Sequence, residues 1–427
     1  MKKPIFILVL VLSLALFVSC GGSSKDEPDS DVTPATDDEP VTDDEPATDD
    51  EPATDDEPAT DDEPATDDEP ATDDEPATDD EPATDDEPVT DDEPVTDDDP
   101  EEPEPVSLHP YVGKYHDDWG MRHVISNDKW YQSGYGDASI FEITRIDTDN
   151  NVIIAHNAAT NQWNAGLWSK FDIVFYEENT YYCQVAFNAE SEEAAVNVPS
   201  AAHEDPTDLT DSCGGSPWSM LFKEFDESID KDDTKIVAWA TGYENYIPGG
   251  SVDEGWQTPD KALGAAVGDS YDIVCLGSGG EITMTFSKPI TNGEGADFTV
   301  FENSAIDGFW ELAKVSVSSD GEHFFTFDNF YLGANPVGAF GTHDWQLIHG
   351  LATQFMQGKG TLFDLDELKT IDDDDLDIDA ITHVKITDII GDGSVLDTMG
   401  NKIYDPYPTT GSAGFDLDAV GVINQAE

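Results

Sequence analysis

The sequence predicts an all-β protein: a signal peptide and a long disordered acidic repeat, then a small antiparallel β-domain, then a β-sandwich of the jelly-roll type. Beyond residue 106, short runs alternate apolar with polar residues and are rich in β-branched and aromatic side chains, a pattern typical of half-buried strands. Glycine-containing turns separate these runs, and little recurs at the helical period. The predicted segments are residues 1–19, 20–106, 107–227 and 228–427.

The amino terminus predicts export. Two lysines precede the apolar run Pro4–Val18, which is short for a membrane-spanning helix of about 20 residues and typical of a signal peptide. The tetrapeptide Phe17–Cys20 resembles the lipobox of bacterial lipoproteins. The resemblance implies that Cys20 is acylated. It also implies outer-membrane or cell-surface placement, because Gly21 follows where aspartate favours inner-membrane retention. A plain secretory signal is the alternative.

Residues 35–100 repeat the hexapeptide Ala/Val-Thr-Asp-Asp-Glu-Pro, with a single Asp in place of Glu, and carry 33 carboxylates. No apolar residue larger than valine offsets the entropy of ordering such a chain. Proline in every repeat and charge repulsion favour extended geometry. We therefore expect residues 20–106 to form a disordered stalk between the lipid anchor and the folded region. A calcium-collecting acidic tail is the alternative.

The net charge restricts the partners. It is −77 for the whole chain, and residues 107–427 hold 15 basic and 55 acidic residues. A surface this negative repels nucleic acid and anionic lipid headgroups. We therefore expect membrane attachment only through the amino-terminal lipid, no nucleic-acid binding, and cations or neutral ligands such as carbohydrates as partners.

Residues 107–227 are predicted to form the small β-domain. Its tryptophans Trp163, Trp168 and Trp218 could stack on a sugar, although core packing suits at least two of them better. The predicted strands are Ala138–Ile146, Val152–Ala155, Phe171–Glu177 and Tyr181–Phe187.

The remaining cysteines also fit an exported protein. Cys183 stands in a strand-like segment and Cys213 in a glycine-rich loop, and we predict a disulfide between them. Cys275 is predicted to be an unpaired core residue, and no cysteine–histidine spacing indicates a zinc site.

Residues 228–427 contain a longer series of short strands separated by glycines, which is typical of a sandwich or jelly roll. The predicted strands are Ile236–Ala240, Glu281–Phe286, Asp297–Glu302, Ala313–Ser318, His323–Phe327, Ile381–Ile389 and Asp416–Ile423.

Five motifs in this region resemble a family of bacterial cell-surface domains. They are Ala262–Gly264, Cys275–Gly280, Asn292–Asn303, Ser319–Gly321 and Gly414–Val420. The family's pattern is similar to the galactose-binding-like jelly rolls of carbohydrate-binding modules and discoidin domains. The resemblance implies ligand-binding loops at one end of a jelly roll, and a structural calcium ion.

The residues themselves point to a cation. The strand period places Phe298, Val300 and Glu302 on one face, so Glu302 ends an apolar row. A carboxylate there needs a cation or hydrogen-bond donors, and no arginine follows Arg145.

A second strand adds carboxylates. Asp416 and Asp418 are predicted to share a face with Val420 and Val422, and they could converge on one ion if another strand contributes a ligand. Solvated strand ends and hydrogen bonds to loop amides are the alternative, and the acidic run Asp372–Asp379 is predicted to be a loop. The candidate calcium ligands are Asp297, Glu302, Asn303, Asp416 and Asp418.

The sequence favours a non-catalytic, calcium-dependent binding or adhesion module for a glycan or another surface ligand. A structural coat protein is the alternative, followed by a glycan hydrolase. Pairs such as Asp307 with Glu311, or Glu302 with Asp416, could serve a glycosidase, but nothing in the sequence selects them. The chain has no Gly-x-Ser-x-Gly, His-Glu-x-x-His or P-loop motif.

Overall fold

A computed structural model describes residues 104–134, 138–177, 179–201 and 212–427 of the 427-residue chain. The chain divides into two units, Met1–Pro94 and Val95–Glu427. The predicted signal peptide, Cys20 and the acidic repeat lie outside the described residues. Within these, antiparallel strands dominate and helices are short, which confirms the all-β prediction.

The first eight strands close into an antiparallel barrel, because β1 pairs with both β2 and β8. A short helix, α1 (Glu192–Val196), lies between β7 and β8. The strands are β1 (Gly113–Asp117), β2 (Arg122–Ile125), β3 (Lys129–Ser133), β4 (Ser139–Asp147), β5 (Val152–Asn157), β6 (Trp168–Tyr176), β7 (Asn179–Ala189) and β8 (Ser219–Glu224).

Side chains fill the barrel interior, as expected for eight strands. Trp130, Phe171 and Ile153 are fully buried at its centre. The predicted disulfide is confirmed: Cys183 on β7 is bonded to Cys213, with their Cα atoms 5.6 Å apart.

The three tryptophans of this region have different environments. Trp218 is buried beside the disulfide, Trp168 is half-buried, and Trp163 is 73% exposed on a loop. Burial of Trp218 agrees with the expected core role.

Fifteen further strands follow. They are β9 (Ser228–Asp230), β10 (Ala238–Trp239), β11 (Gly242–Ile247), β12 (Val274–Cys275), β13 (Glu281–Ile290), β14 (Phe298–Glu302), β15 (Ala313–Ser318), β16 (Phe325–Thr326), β17 (Phe330–Tyr331), β18 (Ile348–His349), β19 (Lys359–Phe363), β20 (Ile381–Asp388), β21 (Asp392–Leu396), β22 (Lys402–Tyr404) and β23 (Asp416–Val422). Short 3-10 turns occur at Glu254–Trp256, Pro259–Ala262, Trp345–Leu347 and Leu365–Leu368.

Two antiparallel sheets pack as the predicted sandwich. The first has the order β10-β23-β14-β19-β9, with β12 also pairing with β23, and the second has the order β11-β13-β20-β15-β16. Two-stranded ribbons, β17 with β18 and β21 with β22, lie outside these sheets. Side chains of both sheets, among them Phe298, Val300, Val315 and Ile386, form one apolar core.

The strand-face prediction holds for β14 and fails for β23. Phe298 and Val300 face the core between the sheets, whereas Phe301 packs in a separate cluster on the other side. On β23, however, Leu417 joins the same core as Val420, which strict alternation does not allow. The register between β14 and β23 shifts after Phe301, so a β-bulge reverses the predicted faces of the first residues of β23.

The barrel packs against the sandwich. Arg122 of the barrel forms an ion pair with Glu367 of the sandwich at 3.2 Å, and the Lys129 ammonium donates to the carbonyl of Met399. The shared apolar cluster contains Val112, Val124 and Tyr131 from the barrel and Phe330, Leu332 and Met399 from the sandwich.

Asp226, in the connection between the two, joins them. Its carboxylate accepts hydrogen bonds from the Lys114 ammonium (3.1 Å), the Gly350 N–H (3.0 Å) and the Gln354 amide (2.7 Å). Burial alone would raise the pKa of Asp226, but His349, Lys114 and Gln354 hold it well below its usual range.

No helix among the described residues is long and apolar enough to cross a bilayer.

Candidate ligand pocket

A pocket of about 530 Å³ lies in the sandwich where β14 and β23 meet. The carboxylates of Glu302, Glu311 and Asp416 line it. Glu302 is the last residue of β14, Glu311 shortly precedes β15, and Asp416 is the first residue of β23. All three are at most 5% exposed, so strand ends of the sandwich place three buried acids around one cavity.

Asp416 has one unsatisfied oxygen. Its Oδ1 atom is buried and has no hydrogen-bond partner among the described residues. Burial raises the pKa of Asp416 to about 7, although hydrogen bonds with Cys275 and Asn303 act to lower it. An orphaned carboxylate oxygen at a cavity wall points to a ligand that would complete it.

Glu302 is only partly satisfied. Its Oε2 accepts a hydrogen bond from the Ser304 N–H at 2.7 Å. Burial raises the pKa of Glu302 well above the usual value, and the negative charge of Asp416 raises it further.

Glu311 is 3% exposed, and no hydrogen bond joins its carboxylate to another described residue. Burial raises its pKa well above the usual value, and the charges of Asp416, Asp405 and Glu302 raise it further. The three pocket acids therefore repel one another. Among the described residues, no lysine, arginine or histidine lines the cavity.

Other buried carboxylates of the sandwich hold loops in place. Asp388 accepts hydrogen bonds from the N–H groups of Gly279 (2.7 Å) and Phe415 (2.6 Å), although burial still raises its pKa to about 7. Asp418 accepts from Val267 and Gly268 in the same way. Backbone N–H groups satisfy the carboxylates of Asp388 and Asp418, whereas the carboxylates of the pocket have fewer such donors.

The structure brings three of the five candidate calcium ligands together. Glu302, Asn303 and Asp416 line the pocket, and Asp418 is close enough to raise the pKa of Glu302. Asp297 precedes β14 and lies roughly 17 Å from Glu302 at the usual strand rise. Its oxygens accept from the Gly293 N–H, the Leu365 N–H and the Asn424 amide at 2.7–2.8 Å, so it anchors loops at the other end of the strand.

The rim of the pocket is aromatic. Tyr271 is 72% exposed and Phe340 is 91% exposed, while Trp256 is half-buried and Phe309 lines the wall beside them. Side-chain hydroxyls of Ser270, Thr342, Thr409, Thr410 and Ser412 stand among the aromatic rings. Flat apolar faces next to hydrogen-bonding groups suit a ligand that is itself amphipathic, such as a sugar ring.

Sequence reasoning did not select Glu311 or the aromatic rim. Glu311 is the one charged residue within the apolar run Phe309–Ala313, and that was the available signal. Tyr271 and Phe340 lie in loops, and only the tertiary structure brings these loops to the same opening.

A second acidic group lies elsewhere on the surface. Ligand atoms of Asp320, His323 and Asp375 lie within 4.8 Å of one another, and all three residues are exposed. The carboxylate of Asp320 already accepts hydrogen bonds from the N–H groups of Glu322 and His323 and contacts the His323 imidazole. These contacts within a surface turn explain why the three side chains lie close together.

Neither a protein-family model nor a curated protein matches this chain. The resemblance to cell-surface domains with galactose-binding-like jelly rolls therefore stays a prediction.

Proposed function

We propose that this chain is a lipid-anchored cell-surface protein whose sandwich is a non-catalytic, calcium-dependent binding module for a glycan. The main support is the pocket itself, which combines three under-satisfied carboxylates with a rim of exposed aromatic rings. The predicted signal peptide, acylated Cys20 and acidic stalk would place this module at a distance from the membrane.

The rim and the wall suit a carbohydrate. The apolar face of a sugar ring packs on aromatic rings such as Tyr271 and Phe340, and its hydroxyl groups donate to carboxylates and exchange hydrogen bonds with serine and threonine. A volume of about 530 Å³ falls within the usual range for small-molecule sites.

Calcium suits the donor set. Glu302, Asn303 and Asp416 offer carboxylate and amide oxygens, the hard ligands that calcium prefers, and the Oδ1 atom of Asp416 has no other partner. A cation among these groups would offset the repulsion between buried acids. With calcium bound, Glu302, Asn303 and Asp416 would be held in fixed positions beneath the ligand.

A calcium titration of stability tests the metal. At 100 times its dissociation constant, calcium adds about 2.7 kcal/mol to the free energy of unfolding, which raises the melting temperature of the full-length chain by several degrees. Glu302→Gln should remove most of this increment, whereas the exposed Glu322→Gln should leave it unchanged. Identical melting curves in chelator and in millimolar calcium would contradict the assignment.

A glycan array tests the ligand. The full-length chain in detergent should bind a subset of glycans in calcium, and chelator or Glu302→Gln should abolish this binding. Failure to bind any glycan in either condition would leave a structural coat role as the better reading.

Glycan hydrolysis is the second candidate. Burial keeps Glu302 and Glu311 protonated to an unusually high pH, and a protonated carboxyl group is what a general acid requires. Release of reducing ends from a bound glycan, lost in Glu311→Gln, would replace the non-catalytic assignment.

A further inference from the structure

When all three are ionised, the carboxylates that line the pocket carry more negative charge than one calcium ion neutralises. We propose that its ligand carries a primary ammonium group, as a glucosamine-type amino sugar does, and that Glu311 is the residue that receives this ammonium. This proposal rests on the proposed glycan-binding function and specifies its ligand class.

Charge balance selects Glu311. Three carboxylates line the cavity, and a divalent ion bound by Glu302 and Asp416 leaves the third without a counter-charge. Glu311 has no hydrogen bond from a described residue, and its electrostatic neighbours include two further acids, Asp405 and Asp388. A buried charge without a partner is costly, so Glu311 without a counter-charge keeps its proton. A ligand that supplies a positive charge allows Glu311 to ionise and form an ion pair.

An ammonium group fits the surroundings better than a second metal ion. It brings three N–H donors for the oxygens of Glu311, and it is attracted to the faces of aromatic rings. Tyr271 and Phe340 provide such faces at the same opening. A sugar that carries the ammonium can therefore place its ring against the rim while its charge reaches the wall.

The electrostatic field of the folded region also favours a cationic ligand. With 15 basic and 55 acidic residues beyond residue 106, it attracts cationic ligands and repels uronic acids and sulfated sugars. A neutral sugar could use the aromatic rim and the calcium ion, but it would leave Glu311 protonated and without an ion pair.

The decisive experiment compares three oligomers on the unmodified full-length chain. Calorimetric titration in calcium at pH 6, where a primary amine carries a proton, uses tetramers of glucosamine, N-acetylglucosamine and glucose. The glucosamine tetramer should bind at least tenfold more tightly than the other two. Acetylation removes the charge but keeps the sugar, so this comparison depends on no variant.

Two variants localise the effect. Glu311→Gln keeps the shape of the side chain and should abolish the preference for glucosamine. Asp307→Asn removes an exposed charge from the loop beside the rim, and it should retain the preference. Equal loss in both variants would mean that the general field, rather than Glu311, selects the ligand.

Other outcomes overturn the proposal in distinguishable ways. Equal affinity for all three tetramers would refute the ammonium assignment and leave glycan binding intact. If tetralysine binds as tightly as the glucosamine tetramer, the site recognises positive charge and does not require a sugar. Absence of binding by every sugar tested would refute the proposed function as well.

Discussion

The barrel and the sandwich each bury an aspartate, and the two aspartates differ in how they are satisfied. Asp117 in the barrel is 2% exposed and Asp416 in the sandwich is 5% exposed. Asp117 accepts from His123, from the Tyr182 hydroxyl and from two backbone N–H groups, at distances of 2.9–3.1 Å. One oxygen of Asp416 has no such partner.

The two pKa shifts have opposite directions. Burial would raise both, but hydrogen bonds from His123 and from the N–H groups of Met121 and Trp119 bring the pKa of Asp117 below its usual value. The pKa of Asp416 stays raised, at about 7. The donors around a carboxylate, rather than its depth, therefore separate a structural acid from a candidate binding acid.

Neighbouring contacts also fix the tautomer of His123. The Trp130 indole N–H donates to Nδ1 of His123 at 3.1 Å, and an indole nitrogen can only donate. Nε2 of His123 therefore carries the hydrogen and donates to Asp117. The barrel network is complete without any ligand.

Removing Asp117 should have the largest effect. Asp117→Ala leaves buried donors of His123 and Tyr182 unpaired, and we expect the free energy of unfolding to fall by about 3–5 kcal/mol. Asp416→Asn, measured in chelator near pH 4, should change it by less than about 1 kcal/mol, because Asp416 is then protonated in the folded state and no complete network is broken. Urea denaturation of the full-length chain measures both, with the exposed Asp149→Ala as control. Similar losses for Asp117→Ala and Asp416→Asn would remove the distinction.

The disulfide should come next. Cys183 and Cys213 are 30 residues apart, so replacing both by serine should lower the free energy of unfolding by about 3–4 kcal/mol. A reducing agent should have a similar effect on the unmodified chain and on Cys275→Ala, since Cys275 is unpaired. A urea midpoint that does not respond to the reducing agent would contradict the assignment.

Two buried acids of the sandwich, Asp388 and the pocket residue Asp416, predict a dependence of stability on pH. Folding raises the pKa of Asp388 and Asp416 from 3.8 to about 7, so the folded state holds protons that the unfolded chain has released. This stabilising contribution is complete below pH 3.8 and is lost as the pH rises through 7. In chelator, the free energy of unfolding should fall by about 1.4 kcal/mol per pH unit for each such group between pH 5 and 7. Asp416→Asn should remove the share of Asp416 and leave that of Asp388, so the slope should fall to about half. A profile that is level for the unmodified chain would contradict the prediction.

The smallest effect on stability should come from the rim. Tyr271→Ala and Phe340→Ala remove exposed rings, so the free energy of unfolding should change by less than about 0.5 kcal/mol while glycan affinity falls. Trp163→Ala is the matched control, because Trp163 is 73% exposed on the barrel, away from the pocket, and should affect neither quantity. Loss of stability in the rim variants would make these rings structural.

Periodicity in the sequence determined the fold class and many of the strands. The predicted β15 agrees with its observed bounds, Ala313–Ser318, and β7 and β20 are shifted by at most two residues at each end. The disulfide partners were also predicted correctly. Short strands such as β12 and β17 were not predicted, because two residues carry no measurable alternation.

Only the tertiary structure decided which carboxylates belong together. Asp297 and Glu302 are alike in sequence context, yet one is saturated by N–H donors and the other lines a cavity. A β-bulge, which strict alternation does not anticipate, changed the faces of Asp416 and Asp418. Glu311, in the loop before β15, lines the same cavity as Glu302 and Asp416 only in the folded structure. Local pattern depends on neighbours along the chain, whereas hydrogen-bond satisfaction depends on donors that distant segments bring, and that is why folding alone separates a loop anchor from a candidate site.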